Sequence, residues 1–271
     1  MSEDRHEAVE PRELVDWLLA RGRSWVTTAE AATLLGVSEN HVAPTLARWR
    51  RRGQLFSPTK GLYVVVPPEY RPWGSAPASH FIDALMGHLG HDYYVALLSA
   101  AEVHGFAHQR PQVFQVMTPA RLRERAFGRV RIRFITDASM AGRAVDIVNT
   151  PTGTMRVSAI ETTVLDLLAH PRSSGGLSNV ATIVGEMLEE ERIDIPRLAG
   201  SAVGYPTSVI QRCGWLLDFM AHRVQVELNT EALAASITSR RSVLLDPSGR
   251  RAGEHDARWQ VIVNATPEPD L

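Results

Sequence analysis

The sequence predicts an α+β protein, with an N-terminal winged helix-turn-helix domain followed by a larger mixed α+β domain. Near the N-terminus, two short helical patterns joined by a tight turn are followed by a hairpin pattern. Beyond a proline-rich segment, helical patterns, then strand patterns, then more helices follow in blocks. We therefore place the winged domain at residues 11–68, the linker at 69–75 and the second domain at 76–267.

The helix-turn-helix is predicted between Thr27 and Arg52, after a first helix over residues 11–21. Thr27 and Glu30 have the spacing of a capping box, which marks a helix start. Gly36 stands where a helix end favours a left-handed residue. Ser38 is placed to cap the second helix, whose buried side repeats at helical spacing: Val42, Leu46 and Trp49.

Pro44 departs from the usual pattern of a recognition helix. It removes one backbone hydrogen bond, and its ring crowds the carbonyl group of Asn40. Two outcomes are open, since the helix can bend at this position or begin as a tighter turn. Either outcome affects which side chains reach a bound partner.

A wing is predicted from strands at 54–57 and 62–66, joined by a turn at 58–61. From Asn40 to Pro68 the chain has no acidic residue, and its cations are Arg48, Arg50, Arg51, Arg52 and Lys60. Such a cluster favours a phosphate backbone, because neutralised phosphates release counterions. The alternative is a solvated basic face on a three-helix scaffold that binds protein.

The predicted DNA contacts lie on this helix and wing. We expect Asn40 and His41, with Thr45 or Ala47, to lie near base edges in a major groove. We expect Arg48, Arg51, Arg52 and Lys60 to hold phosphates or, for Lys60, the adjacent minor groove. The predicted DNA-binding set is Ser38, Asn40, His41, Thr45, Arg48, Arg51, Arg52 and Lys60.

The second domain is predicted from helical and alternating patterns. Helices are expected at 80–89, 93–104, 158–168, 177–190, 195–202, 207–222 and 230–238. Strands are expected at 112–117, 129–136, 145–149, 154–157 and 258–263. Ser158 and Glu161 have capping-box spacing, and Asp166 is assigned to the first turns of the same helix, where a carboxylate complements the helix dipole.

A second basic surface is predicted from Arg121, Arg123, Arg125, Arg129, Arg131 and Arg133. Glu124 is the only acidic residue between Arg121 and Arg133. The arginines either extend a nucleic-acid or other polyanion surface, or keep an exposed sheet edge and loop soluble. The sequence leaves both interpretations open.

Composition limits the remaining functions. The 271 residues carry a net charge of -1, so DNA affinity must come from local patches. The single cysteine, Cys213, lies in an apolar run and fits a buried thiol in a reducing cytoplasm. We expect no cofactor and no metal, since Gly105 interrupts the pair His104 and His108. No catalytic motif is present, so a non-enzyme is expected, and no apolar stretch is long enough to span a membrane.

Several segments, taken in order, resemble the AbiEi antitoxins. After the winged segment they are YVALLSAAEVHG at 94–105, RIRF at 131–134, SAIETTVLDLL at 158–168 and QRCGWLL at 211–217. The resemblance implies an antitoxin of a two-gene toxin–antitoxin pair. Its winged domain would bind inverted repeats in double-stranded promoter DNA and repress its own operon. Its C-terminal domain would counter a nucleotidyltransferase-like toxin of the AbiEii type without a stable complex.

Two other classes of function stay open on the residues alone. One is a repressor that responds to a small effector and has no toxin partner. The other is a DNA-processing enzyme, such as a nuclease, that uses the winged domain for placement. A ligand-dependent change in DNA affinity would favour the first, and metal-dependent cleavage would favour the second.

Overall fold

A computed structural model describes residues 8–107, 111–237, 239 and 241–270 of the chain. The N-terminal part contains α1 (Leu14–Ala20), β1 (Trp25–Thr27), α2 (Thr28–Leu34), α3 (Glu39–Arg51), β2 (Leu55–Thr59) and β3 (Leu62–Val65). The strands form an antiparallel sheet in the order β1-β3-β2. Helices and sheet in this order are the arrangement of a winged helix-turn-helix, as predicted.

The helices of this part pack through the apolar positions that the periodicity predicted. Leu14, Val15 and Leu18 of α1 meet Val42 and Leu46 of α3 in one core. Thr27 is the N-cap of α2, and both hydrogen bonds of the predicted capping box are present. The local spacing of donors and acceptors was enough to predict that helix start.

The segment after the wing folds differently from the prediction. Its prolines led us to expect no regular helix, but Pro68–Trp73 form a 3₁₀-helix with a proline in its first turn. A proline is tolerated there because the first N–H groups of a helix have no helical partner. The ring of Tyr70 packs against Trp73 at 5.3 Å and His80 at 5.5 Å, so this segment lies against the protein.

The second part is built on a six-stranded mixed sheet in the order β6-β7-β5-β4-β9-β8. The pair β5–β7 and the pair β4–β9 are parallel, and the other neighbours are antiparallel. The strands are β4 (Tyr94–Val95), β5 (Phe114–Thr118), β6 (Arg125–Phe127), β7 (Val130–Thr136), β8 (Val145–Thr150) and β9 (Gly153–Ser158). The predicted hairpin at β8 and β9 is confirmed, and β6 was not predicted.

Helices complete this part. They are α4 (Ile82–Leu89), α5 (Leu97–His104), α6 (Ile160–Ala169), α7 (Leu177–Glu189), α8 (Ile195–Ala202), α9 (Thr207–Arg223) and α10 (Glu231–Ala235). A small sheet of β10 (Val243–Leu244), β12 (Val261–Val263) and β11 (Glu254–Asp256) follows. The largest core lies among α5 to α9 and contains the buried Cys213. None of the helices in the described part of the chain is both long and apolar enough to cross a bilayer.

Two predicted elements of the second part were wrong in type or in capping. Residues 93–104 were predicted as one helix, but Tyr94 and Val95 form a strand between β5 and β9. The predicted box at Ser158 does not form, because its hydroxyl group lies 2.7 Å from the hydroxyl of Thr163 and the helix is capped by Ala159. The end of the helix predicted at 230–238 includes Thr238, which lies outside the described residues.

Candidate nucleic-acid interface

The recognition helix α3 is fixed by one buried side. Val42, Leu46 and Trp49 are at most 4% exposed. The indole Nε1 of Trp49 donates a hydrogen bond of 2.9 Å to the carbonyl oxygen of Pro11. A buried indole N–H needs such an acceptor, so this bond ties α3 to the segment before α1.

The opposite side of α3 carries the predicted contacts. Positions 40, 47 and 51 share the outer face at helical spacing, and positions 41, 45, 48 and 52 form a neighbouring row. Thr45 is half-buried, and the other predicted contacts on α3 are exposed. The Arg52 guanidinium lies 5.3 Å from the centre of the Trp49 ring, a cation–π contact that orients this arginine. The helix therefore brings most of the predicted set together on one surface.

The start of α3 differs from the prediction. Ser38 occupies the N-cap position but makes no side-chain cap bond. Its Oγ lies 2.6 Å from Nδ1 of His41 instead. When the hydroxyl donates this bond, Nε2 of His41 carries the ring proton and is a donor toward a partner. Ser38 and His41, two of the predicted DNA contacts, are therefore hydrogen-bonded to each other in the first turn of α3.

Pro44 is accommodated without interrupting α3, which runs continuously from Glu39 to Arg51. Of the two open outcomes, the tighter turn is observed, since the N–H of His41 bonds the carbonyl oxygen of Ser38 at 2.9 Å. Pro44 is exposed, and so is Asn40. Water can therefore hydrogen-bond the Asn40 carbonyl that the proline leaves without its helical donor.

The wing is longer than predicted. The strand β2 continues to Thr59, past a register shift between Phe56 and Thr59 that contains Pro58. A proline is tolerated in such a bulge because it has no ladder bond to donate. The turn is consequently shorter than predicted and consists of Lys60 and Gly61, where Gly61 has a φ of +85°. Lys60 is exposed at the tip.

The tip of the wing is held by the rest of the protein. Nε2 of His88, on α4, lies 3.0 Å from the carbonyl oxygen of Lys60 and donates to it. The N–H of Thr28 bonds the carbonyl oxygen of Gly61 at 2.9 Å. These bonds fix the backbone of the tip from two sides while the Lys60 side chain stays in solvent.

An aromatic cluster joins the wing to the second part of the chain. The Phe56 ring on β2 lies 5.1 Å from Phe81 and 5.4 Å from Phe127. The Arg125 guanidinium donates a hydrogen bond to the carbonyl oxygen of Pro58, and burial lowers the pKa of this arginine from its ordinary value. Arg125 thus serves the junction between the two parts and is not available as a surface cation.

Two arginines of the second basic surface lie inside the sheet and not at its edge. The strand β7 lies between β6 and β5, so its outward-facing Arg131 and Arg133 lie on a face of the sheet. The edge-protection alternative was therefore wrong for these two. Glu124 lies 3.1 Å from Nε of Arg133 and 3.9 Å from Nε of Arg131, and partly neutralises them. Arg121, Arg123 and Arg129 are exposed.

The comparison with known proteins agrees with this architecture. The family model described as "Transcriptional regulator, AbiEi antitoxin" matches residues 13–66. The model described as "AbiEi antitoxin C-terminal domain" matches residues 94–219. The chain belongs to the AbiEi antitoxin family. The resemblance seen in the sequence is confirmed.

A solved structure shares the fold over most of the chain. It is the crystal structure of the RV2827C protein from Mycobacterium tuberculosis, with a TM-score of 0.64 and 20% sequence identity. The match covers 92% of this chain and 89% of that one. No curated protein matches the chain.

A buried polar cluster lies inside the segment that matches the AbiEi C-terminal domain. Asp166 is fully buried and accepts hydrogen bonds from Tyr205 at 2.7 Å, Tyr94 at 3.0 Å and Arg143 at 3.1 Å. The guanidinium of Arg143 also donates to Asp137 at 2.6 Å and lies over the ring of Tyr205. The prediction that Asp166 complements a helix dipole was wrong, because this carboxylate is the centre of the cluster.

The electrostatics of the cluster follow from burial. Burial raises the pKa of Asp166 to about 6, against the three donors that favour its ionised form. Burial also acts on Asp137, but its bonds to Ser139 and Arg143 hold the pKa of that carboxyl below its ordinary value. No local pattern of residues predicts this cluster, since its members come from β4, the loop before β8, α6 and the segment after α8.

A cavity of about 450 Å³ lies between the 68–80 segment and the sheet of the AbiEi C-terminal part. Its apolar lining includes Trp73, Val103, Phe114 and Met155, and Arg129 contributes charge. The N–H of Arg129 bonds the carbonyl oxygen of Trp73 at 2.9 Å. This cavity therefore adjoins the segment that connects the winged part to the rest.

Proposed function

We propose that this chain is a cytoplasmic, sequence-specific DNA-binding antitoxin that represses its own toxin–antitoxin operon and counters a nucleotidyltransferase-like toxin of the AbiEii type. Membership of the AbiEi family supports an antitoxin-type regulator. Its proposed DNA target is a set of inverted repeats in the promoter of this operon.

One observation carries the DNA-binding part, the exposed basic side of α3. Arg48, Arg51 and Arg52 are exposed on this helix. No acidic residue lies between Asn40 and Pro68 to neutralise them. A helix of this kind fits a major groove, and its cations replace the counterions of the phosphates.

The two ends of the surface have different proposed roles. Asn40 and His41, at the N-terminal end of α3, are proposed to contact base edges, since N-terminal residues of recognition helices do so. Lys60 at the wing tip is proposed to contact a phosphate or the adjacent minor groove. Because the wing backbone is bonded to His88 and Thr28, Lys60 is presented without a large loss of loop entropy on binding.

The test is a binding titration at several salt concentrations, against the DNA upstream of the gene and against a scrambled duplex of equal length. Tight binding selective for the upstream DNA, with a steep salt dependence, is expected. Weak binding that is equal for both duplexes would refute the repressor role.

The toxin part requires a separate test in cells. Expression of the adjacent toxin gene should arrest growth, and co-expression of this chain should restore it. The purified proteins should not co-elute, since antitoxins of this family are expected to act without a stable complex. Continued arrest in the presence of the folded chain would refute the antitoxin role.

A second candidate function rests on the cavity beside Trp73. A small amphipathic ligand there would touch both the connecting segment and Arg129, so its binding could change the orientation of the winged part. In this case the chain would be an effector-responsive repressor. A metabolite that shifts the melting temperature and also changes operator affinity would favour it.

A further inference from the structure

The strand β8 is an open edge of the central sheet. It lies at the end of the strand order, and in the described part of the chain its strand partner is β9. The opposite edge strand, β6, has three residues, carries Arg125 and is covered by the wing. By contrast, β8 has six residues, its only charge is Asp146, and its Ile147 side chain is 65% exposed. Such an edge is a template for pairing with another strand.

The backbone of β8 has a defined polarity. The N–H of Ala159 bonds the carbonyl oxygen of Ala144 at 3.1 Å, and Thr150 faces Gly153 across the turn. In an antiparallel ladder, residues alternate between bonding the partner and pointing away. Because positions 144 and 150 bond β9, Val145, Ile147 and Asn149 direct their N–H and C=O groups away from the sheet.

We propose that β8 pairs in antiparallel fashion with β8 of a second copy of this chain, with Ile147 opposite Ile147. A two-fold axis between identical strands is closed and leaves neither strand as a free edge. With Ile147 opposite Ile147, Val145 lies opposite Asn149 of the other copy. The two residues of each of these pairs exchange two backbone hydrogen bonds. The two exposed isoleucine side chains then cover each other on one face of the combined sheet.

The neighbouring residues are compatible with this register. Asp146 lies opposite Val148 of the other copy, so the two aspartates are not directly opposed. Beyond the paired residues, the turn at Pro151 passes the other copy near Ala144 and Gly142. Both are small and exposed, and no atom lies within 4 Å of a Cβ placed at Gly142. The strand can therefore pair with itself through its backbone, without placing like charges directly opposite each other.

The pairing also has a consequence for operator geometry, and this part rests on the proposed DNA-binding function. Roughly eleven strand spacings of about 4.8 Å separate the two copies of β6, on the order of 50 Å. The wings lie beside β6, so the two recognition helices are further apart than one helical turn of about 34–36 Å. Half-sites centred further apart than one helical turn are therefore expected.

The test is sedimentation of the full chain without DNA, from about 1 μM to about 200 μM. The interface is a single strand pair, so we expect weak association, with the mass rising from 29.9 kDa toward twice that value in this range. The variant Ile147→Lys places two cations opposite each other and should remain monomeric. Val203→Lys is the matched control, because Val203 is an 87% exposed apolar residue at the end of α8 and not on β8, and it should associate like the parent chain.

A cysteine variant tests the register directly. Ile147→Cys should be cross-linked to its copy by a short bifunctional maleimide, while the buried Cys213 stays unreactive and Val203→Cys gives little product. A parent chain that is monomeric throughout, or an Ile147→Lys variant that associates unchanged, would overturn the proposal. Because no DNA is present, failure of the repressor function would not affect this outcome.

Discussion

The contact between the wing and the second part of the chain can be tested with Phe127→Ala. Phe127 lies 5.4 Å from the Phe56 ring and 6.1 Å from the Phe81 ring, so the substitution removes two aromatic contacts, and the contact with Phe56 is the one that crosses the junction. Replacing a fully buried phenylalanine by alanine costs about 3–5 kcal/mol. Since Phe127 is only half-buried, we expect the free energy of unfolding to fall by roughly 2 kcal/mol.

The same substitution should weaken DNA binding without changing its salt dependence. A looser wing presents Lys60 less well, so affinity should fall by a few-fold. No cation is removed, so the slope of log affinity against log salt should stay constant. Phe127→Leu is the control, because it retains apolar volume at the junction and should lose less than half as much stability.

Urea unfolding and salt-dependent DNA titrations measure the two effects. A loss of less than about 0.5 kcal/mol, the usual range for surface changes, would show that the aromatic cluster does not stabilise the junction. A reduced salt slope would show that the variant has lost a phosphate contact, and the wing argument would then be wrong.

Arg51→Ala should weaken binding to operator and random DNA alike and lower the salt slope by about one, whereas Asn40→Ala should mainly reduce the ratio between the two affinities in the same titration. Asp166→Ala removes the buried acceptor shared by Tyr94, Tyr205 and Arg143 and leaves Arg143 with Asp137 as its remaining carboxylate partner, so urea unfolding should show a loss of about 3–5 kcal/mol; a loss below 1 kcal/mol would contradict this. Because burial raises the pKa of Asp166 from 3.8 to about 6, the folded state binds this proton more tightly than the unfolded state does. The contribution of this carboxyl to stability should therefore become less favourable as the pH rises from about 4 to 6, and Asp166→Asn should remove that part of the pH dependence in unfolding experiments. Gly128→Ala should lower the melting temperature more than Gly90→Ala, since both have positive φ but a Cβ at position 128 would meet the carbonyl oxygen of Trp73; equal shifts would refute the close approach.

Local signals in the sequence predicted the winged part well. The box formed by Thr27 and Glu30 depends on residues three apart, and Val42, Leu46 and Trp49 repeat within one helix. Such patterns do not need the rest of the fold. The exception is Ser38, whose hydroxyl had a nearer partner in the His41 ring than in the backbone.

Features that depend on distant residues were not predictable in this way. Tyr94 and Val95 precede a helix and share its apolar character, but pairing with Met117, Val116 and Val157 makes them a strand. The ladder bonds outweighed the helical pattern of the sequence. The cluster around Asp166 escaped prediction for the same reason, since Tyr94 and Tyr205 lie far from it along the chain.

The strand β3 packs against both parts of the chain. The predicted boundary after residue 68 therefore separates two segments of sequence that share buried contacts. Side chains alternate along a strand, and here the two faces enter different cores. Val65 packs with the helices of the winged part, whereas Leu62 and Val64 are buried with Phe81 and Val116 of the second part. A fragment ending at residue 68 would expose these two apolar side chains together with Phe56, which favours aggregation. The winged part should therefore function only with its second part attached, and any event that loosens the second part should reach the wing through β3.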